Sequence, residues 1–152
     1  MSILKNLQVL LGKSDTTQTP SNTSTQTVTQ KKVLIVEDEK VLADALEIKF
    51  QHENFAVLKA ENGQIGLEMI QANKPDAVLL DLMMPVMDGK TMLHKLRAIP
   101  EFKYLPVVVL TNAGDVENIK QTKQYDNASA FLIKSNINPE DAINIVKELL
   151  RM

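Results

Sequence analysis

The chain has 152 residues, 44% of them hydrophobic and 24% charged, with a formal net charge of −2 and no cysteine. That length supports one domain with a substantial core, and the composition is that of a globular protein. The slight negative charge argues against a generic nucleic-acid binder, the absence of cysteine excludes disulfides and thiolate metal sites and fits a cytoplasmic protein, and no run of roughly 18 apolar residues is present to cross a membrane.

Residues 1–12 form a short amphipathic segment in which Ile3, Leu4, Leu7, Leu10 and Leu11 follow helical spacing. Lys5, Asn6 and Gln8 interrupt the apolar run and no small-residue cleavage site follows, so this is not a secretory signal. A helix this short is marginal alone in water. Two uses stand for residues 3–11: a docking peptide for a protein groove or a membrane surface, or a tail that frays or rests on its own domain. Residues 13–31, rich in Thr, Ser and Gln, carry no apolar face to offset the entropy of ordering. They are expected to form a disordered, flexible linker spanning roughly 25 Å as a random coil. No internal repeat is present.

From residue 32 to residue 152 the pattern becomes a regular alternation of strand and helix. Val33-Leu34-Ile35-Val36 reads as a buried strand, followed by Glu37-Asp38-Glu39. A helix near 39–52 is expected to turn Val41, Leu42, Ala45, Leu46 and Phe50 inward. Phe55-Ala56-Val57-Leu58 is the second strand, and Asn62-Gly63 leads into a helix carrying Ile65, Met69 and Ile70 that stops at Lys74-Pro75. Ala77-Val78-Leu79-Leu80 is the third strand; it ends on Asp81 and breaks into a loop closed by Asp88-Gly89. Met92, Leu93 and Leu96 mark the next helix, and Pro106-Val107-Val108-Val109-Leu110 a fourth strand ending at Thr111. A weaker helix is expected from an Asp115 cap, with Val116, Ile119 and Tyr125 as its apolar content. Ala130-Phe131-Leu132-Ile133 is the fifth strand and ends at Lys134. The last helix opens with Asn138 as cap and Pro139 at its first position, and buries Ala142, Ile145, Val146, Leu149 and Leu150.

Five continuous apolar strands alternating with helices predict an α/β fold with a parallel sheet covered on both faces. The likeliest topology under right-handed crossovers is a doubly wound, flavodoxin-like (βα)5 sheet in the order 2-1-3-4-5, preceded by the disordered N-terminal tail. In such a sheet the strand-ending residues Glu37, Asp38, Asp81, Thr111 and Lys134 all fall on one edge. Crowded carboxylates repel one another and call for a cation, and an oxygen-only set suits Mg²⁺ before Zn²⁺. The three acids, a divalent ion and the lysine sum to neutrality, which leaves a pocket able to accept a dianionic phosphoryl group.

The segments Val36-Glu37-Asp38-Glu39, Leu80-Asp81-Leu82-Met83-Met84-Pro85-Val86-Met87-Asp88-Gly89, Leu110-Thr111 and Ile133-Lys134 closely resemble, in order and spacing, the receiver domain of two-component response regulators of the stand-alone type. The resemblance spans about residues 32–150. It implies that Asp81 is the phosphoacceptor, taking a phosphoryl group as a carboxylate nucleophile from a sensor histidine kinase or phosphotransfer protein. It implies that Mg²⁺ is held by Asp81, by Asp38 directly, by Glu37 directly or through water, and by the backbone carbonyl of Met83. Thr111 and Lys134 would bind the phosphoryl oxygens, and phosphorylation would draw them inward. Phe131 stands where the family carries a switch aromatic on the fifth strand; plain strand core is the other reading of this ring. The signal would leave as a population shift read by an output protein that the sequence does not name.

Two positions depart from the family pattern. Ser135-Asn136 replaces the usual Pro after the lysine, and Asn112 follows Thr111 where a small residue is common, bulky enough to hinder a phosphodonor or a hydrolytic water. His52 and His94 lie outside every motif, the methionines fit core filling, and Asp88 fits a turn. No DNA-binding or catalytic segment follows Leu150, so output is expected through protein contact, without nucleic acid. Two competing readings are a phosphorylation-independent adaptor with the same fold and a phosphatase with an Asp nucleophile. The second wants another Asp where Met83 stands, so the chain is not expected to be an enzyme beyond catalysing its own phosphoryl transfer and hydrolysis.

Overall fold

The computed structural model describes residues 29–117, 119 and 128–152. The readings made for residues 1–28, both the amphipathic segment and nearly all of the linker, lie outside the described residues. So does most of the helix expected after Asp115.

Five strands form one parallel sheet: β1 (Lys32–Val36), β2 (Ala56–Ala60), β3 (Ala77–Asp81), β4 (Val107–Thr111) and β5 (Ala130–Ile133). Their order is β2-β1-β3-β4-β5, as the alternating pattern predicts. The helices are α1 (Lys40–His52), α2 (Gly63–Asn73), α3 (Gly89–Arg97) and α4 (Pro139–Leu149). Residues 116, 117 and 119 are also helical, where the weaker helix was expected to begin. No helix among the described residues is long and apolar enough to cross a membrane.

The continuous apolar strands β1, β3 and β4 are buried on both sides because alternate side chains feed two separate cores. Val33, Ile35, Leu79, Val108 and Leu110 meet Leu46 and Phe50 of α1 and Ile143 and Val146 of α4. Leu34, Val36, Val78, Leu80 and Val109 meet Ile70 of α2 and Met92, Leu93 and Leu96 of α3. Phe55, just ahead of β2, packs edge-on against Phe50 with ring centroids 5.3 Å apart.

Local chemistry sets the helix ends. Asn62, Asp88 and Asn138 cap α2, α3 and α4, their side chains accepting from the backbone N–H of Ile65, Thr91 and Glu140. Lys74 stops α2 in a left-handed conformation (φ 47°), since the following Pro75 disfavours continued helix. Two predicted faces need correction. In α1 the buried residues are Ala43, Leu46 and Phe50, while Val41 is 84% exposed and Ala45 also faces outward. In α4 the buried set is Ala142, Ile143 and Val146, with Ile145, Leu149 and Leu150 half-buried. Apolar spacing leaves a helix free to rotate by one residue, and the contact with the sheet fixes the choice.

Candidate functional site

Every strand runs the same way, so the predicted polar residues emerge on one rim. The register sets Val36 beside Leu80, Asp81 beside Leu110 and Thr111 beside Ile133. Glu37 follows β1 immediately; its N–H donates to Ala60 O at the end of β2 at 2.9 Å, and the Val36–Leu80 pairing on the other side of β1 brings it next to Asp81 at the end of β3.

Asp81 is 2% exposed although it ends a strand. Its Oδ1 accepts from the Met83 N–H at 3.3 Å and its Oδ2 from Lys134 Nζ at 3.0 Å. The loop that follows lies close against it: a Cβ on Gly89 would stand 2.2 Å from the Asp81 carbonyl oxygen, so only glycine fits there. Asp88 confirms its structural role as the α3 cap, and hydrogen bonds from Thr91 hold its carboxyl below the usual range. Within this loop Val86 adopts φ 68° with its side chain 83% exposed, a strained conformation for a β-branched residue.

Glu37 is the most unusual acid. Its side chain is fully buried; Oε1 accepts from Lys134 Nζ at 2.9 Å and from the Glu39 N–H at 3.0 Å, while Oε2 has no hydrogen-bond partner. Burial pushes its carboxyl up to about 7; the bonds from Lys134 and Glu39 oppose this shift, and the Asp81 charge adds to it. Asp38 is exposed, and ligand oxygens of Glu37, Asp38 and Asp81 all lie within 4.8 Å of one another.

Lys134 reaches this cluster from the first position of a single 3₁₀ turn, Lys134–Asn136, with no proline needed after it. Burial favours loss of its proton, but the hydrogen bonds and charges of Glu37 and Asp81 outweigh burial and hold the ammonium above its ordinary range. Thr111 is buried on the same rim, with its hydroxyl donating to the Asn112 carbonyl at 3.4 Å. Phe131 is 40% exposed on the edge strand, so it is not plain strand core.

One participant was not singled out in the sequence. Glu39 Oε2 lies 3.2 Å from Lys134 Nζ, making a third carboxylate on the lysine. The residue is visible in the Glu37-Asp38-Glu39 run; its direction toward a lysine far along the chain is not. His52 ends α1 and His94 lies exposed on α3, both outside the cluster. Of the methionines, Met92 fills core as expected, whereas Met83 is 68% exposed beside the acids.

The donor set fits a hard divalent cation: three carboxylates share one small volume, no cysteine or histidine is among them, and a buried oxygen of Glu37 has lone pairs without a partner.

The family model for the response regulator receiver domain matches residues 33–147. The transcriptional regulatory protein SrrA of Staphylococcus aureus (strain NCTC 8325 / PS 47) is 34% identical over 119 residues, covering 78% of this chain and 47% of SrrA. The chain therefore spans about half the length of the curated relatives it matches. The chemotaxis response regulator CheY4 of Vibrio cholerae superposes with a TM-score of 0.72 at 26% identity, covering 80% of this chain and 99% of CheY4. The receiver domain of sensor histidine kinase PA1611 from Pseudomonas aeruginosa PAO1 shares the fold with a TM-score of 0.72 at 20% identity, covering 81% of this chain and 99% of that one; its structure has a magnesium ion coordinated in the active site cleft. With its 2-1-3-4-5 parallel sheet and its acid–lysine rim, the chain belongs to the response regulator receiver domain family of two-component systems.

Proposed function

We propose that this chain is a phosphoryl-accepting switch in which Asp81 receives a phosphoryl group from a histidine kinase or phosphotransfer protein and passes the signal on by protein contact. The observation that carries this reading is the buried Asp81 carboxylate, held by Lys134 at 3.0 Å and clustered with Glu37 and Asp38 within 4.8 Å. Glu37, Asp38, Asp81 and the Met83 carbonyl would hold Mg²⁺, which supplies charge neutralisation between the carboxylates and the phosphoryl oxygens.

The chain's own residues do the rest. An Asp81 oxygen attacks phosphorus; the donor's phosphorus–nitrogen bond breaks with its electron pair left on the imidazole, which takes up a proton. Lys134 holds a phosphoryl oxygen by charge. Thr111 donates its hydroxyl to another once it turns from the Asn112 carbonyl, and Phe131 moves between exposed and buried positions as Thr111 shifts. Hydrolysis of the acyl phosphate on the same site ends the signal, which makes the chain a self-modifying switch rather than an enzyme acting on other substrates. Residues 3–11 would dock the switch to a protein or membrane surface through the linker, and deletion of residues 1–12 is expected to lower partner recovery.

The test is incubation with acetyl phosphate and Mg²⁺, read by intact mass. The wild type is expected to gain one phosphoryl group and Asp81→Asn none. A wild type that stays unmodified would leave the phosphorylation-independent adaptor as the function.

A further inference from the structure

Lys134 is held more tightly than its proposed role needs. An ammonium has three donors. Here three carboxylate oxygens surround Nζ: Glu37 Oε1 at 2.9 Å, Asp81 Oδ2 at 3.0 Å and Glu39 Oε2 at 3.2 Å. A phosphoryl oxygen can reach the ammonium at full strength only if one of these leaves.

The three differ in what departure costs. The Glu37 and Asp81 side chains are 0% and 3% exposed, and removing the lysine from either leaves a buried anion uncompensated. The Glu39 side chain is 64% exposed, so its carboxylate passes directly into water. Its departure also leaves the local backbone intact. Glu39 occupies the N-cap position of α1, yet its side chain makes no capping hydrogen bond. Its N–H bond to Glu37 Oε1, at 3.0 Å, is independent of where the side chain points.

We infer that Glu39 is a positioning residue, a displaceable anion that occupies Lys134 in the unphosphorylated protein and must yield it to the incoming phosphoryl group. The inference rests on the reading of Asp81 as phosphoacceptor and adds a threshold to it. Glu39 competes with the phosphoryl group for one ammonium, so it slows modification without touching the reacting atoms. Its weak, exposed attachment keeps that threshold low.

The test compares initial rates of Asp81 modification by low concentrations of acetyl phosphate, by intact mass of the full chain with saturating Mg²⁺. Glu39→Gln removes the charge. Glu39→Asp keeps the charge but shortens the side chain by one methylene, drawing it back from Lys134. Both are expected to be modified about twofold to fivefold faster than the wild type, the range that loss of one exposed ion pair supports. Glu61→Gln is the control for general repulsion of an anionic donor: Glu61 is exposed and lines the same groove as Glu37 and Asp38. It is expected to match the wild type, and Mg²⁺ affinity, measured by calorimetry, is expected to be unchanged in Glu39→Asp.

If Glu39→Gln and Glu61→Gln speed modification equally while Glu39→Asp does not, the effect is diffuse charge and the inference is overturned. Wild-type rates in both Glu39 variants overturn it as well, with the phosphoacceptor reading left standing. A wild type that is never modified removes that reading and this inference together.

Discussion

Leu79 and Asp81 stand two residues apart on β3 and expose 0% and 2% of their surface, yet burial acts on them in opposite directions. Burying a leucine contributes roughly 1.5–3 kcal/mol, whereas burying a carboxylate costs several kcal/mol unless a partner compensates. The same contrast holds across the sheet. The interiors of β1, β3 and β4 are Val, Leu and Ile at 0% exposure. The rim one residue further on packs Glu37, Asp81 and Lys134 together, with Glu37 Oε2 unpartnered and Val86 left-handed in the loop beside them. The interior supplies the stability that lets the rim hold an unpartnered buried oxygen and a strained loop.

Deleting interior volume should test this division most severely. Leu79→Ala is expected to lose about 3 kcal/mol in urea unfolding, while Asp81 in the folded fraction is still phosphorylated. A loss under about 1 kcal/mol would mean the interior relaxes around the cavity and does not carry the rim.

On the rim the expected sign is reversed. The folded Glu37 titrates near 7 against 4.5 unfolded, so between these values the folded chain keeps a proton that the unfolded chain releases. Without Mg²⁺, stability should therefore fall as pH rises from about 4.5 to about 7, with the full loss present above 7. Glu37→Gln should flatten that part of the profile, and it should weaken Mg²⁺ binding measured at pH 8. An identical pH slope in the variant would place the titration elsewhere.

A smaller effect is expected in the loop after Asp81. Val86→Asn should raise stability by about 1 kcal/mol, because Asn tolerates the left-handed region that a β-branched residue enters at a cost. An unchanged or lower urea midpoint would show that Val86 makes compensating contacts.

The smallest change in stability belongs to Asn112→Ala, within about 0.5 kcal/mol for this exposed position. Its readout is kinetic: the phosphorylated form should decay faster as the smaller side chain admits water. Matching decay in both proteins would remove Asn112 from the account.

Most of the rim was legible because strand ends are marked locally. An apolar run that stops on Glu37, Asp81, Thr111 or Lys134 names both the strand and the residue that leaves it, and parallel strands bring those residues to one edge. Phe131 was not legible in the same way. Its period on a short edge strand fits a buried or an exposed ring, and only the sheet order, with β5 outermost, leaves it 40% exposed. Val41 misled for a related reason: it fits the helical spacing of α1, yet the helix turns Ala43, Leu46 and Phe50 inward and leaves Val41 in solvent.

The sequence by itself determined the order of the elements, the cap at Asn138, and the identity of the acids and the lysine, because each depends on residues within a few positions. Only the tertiary structure decided that Lys134 reaches Glu37 across a separation of 97 residues, that Glu39 joins them, and that Glu37 keeps one oxygen without a partner. Those facts depend on how far each side chain extends once two strands that are not neighbours in the sheet, β1 and β5, end above the same acid on β3. No local preference encodes that distance.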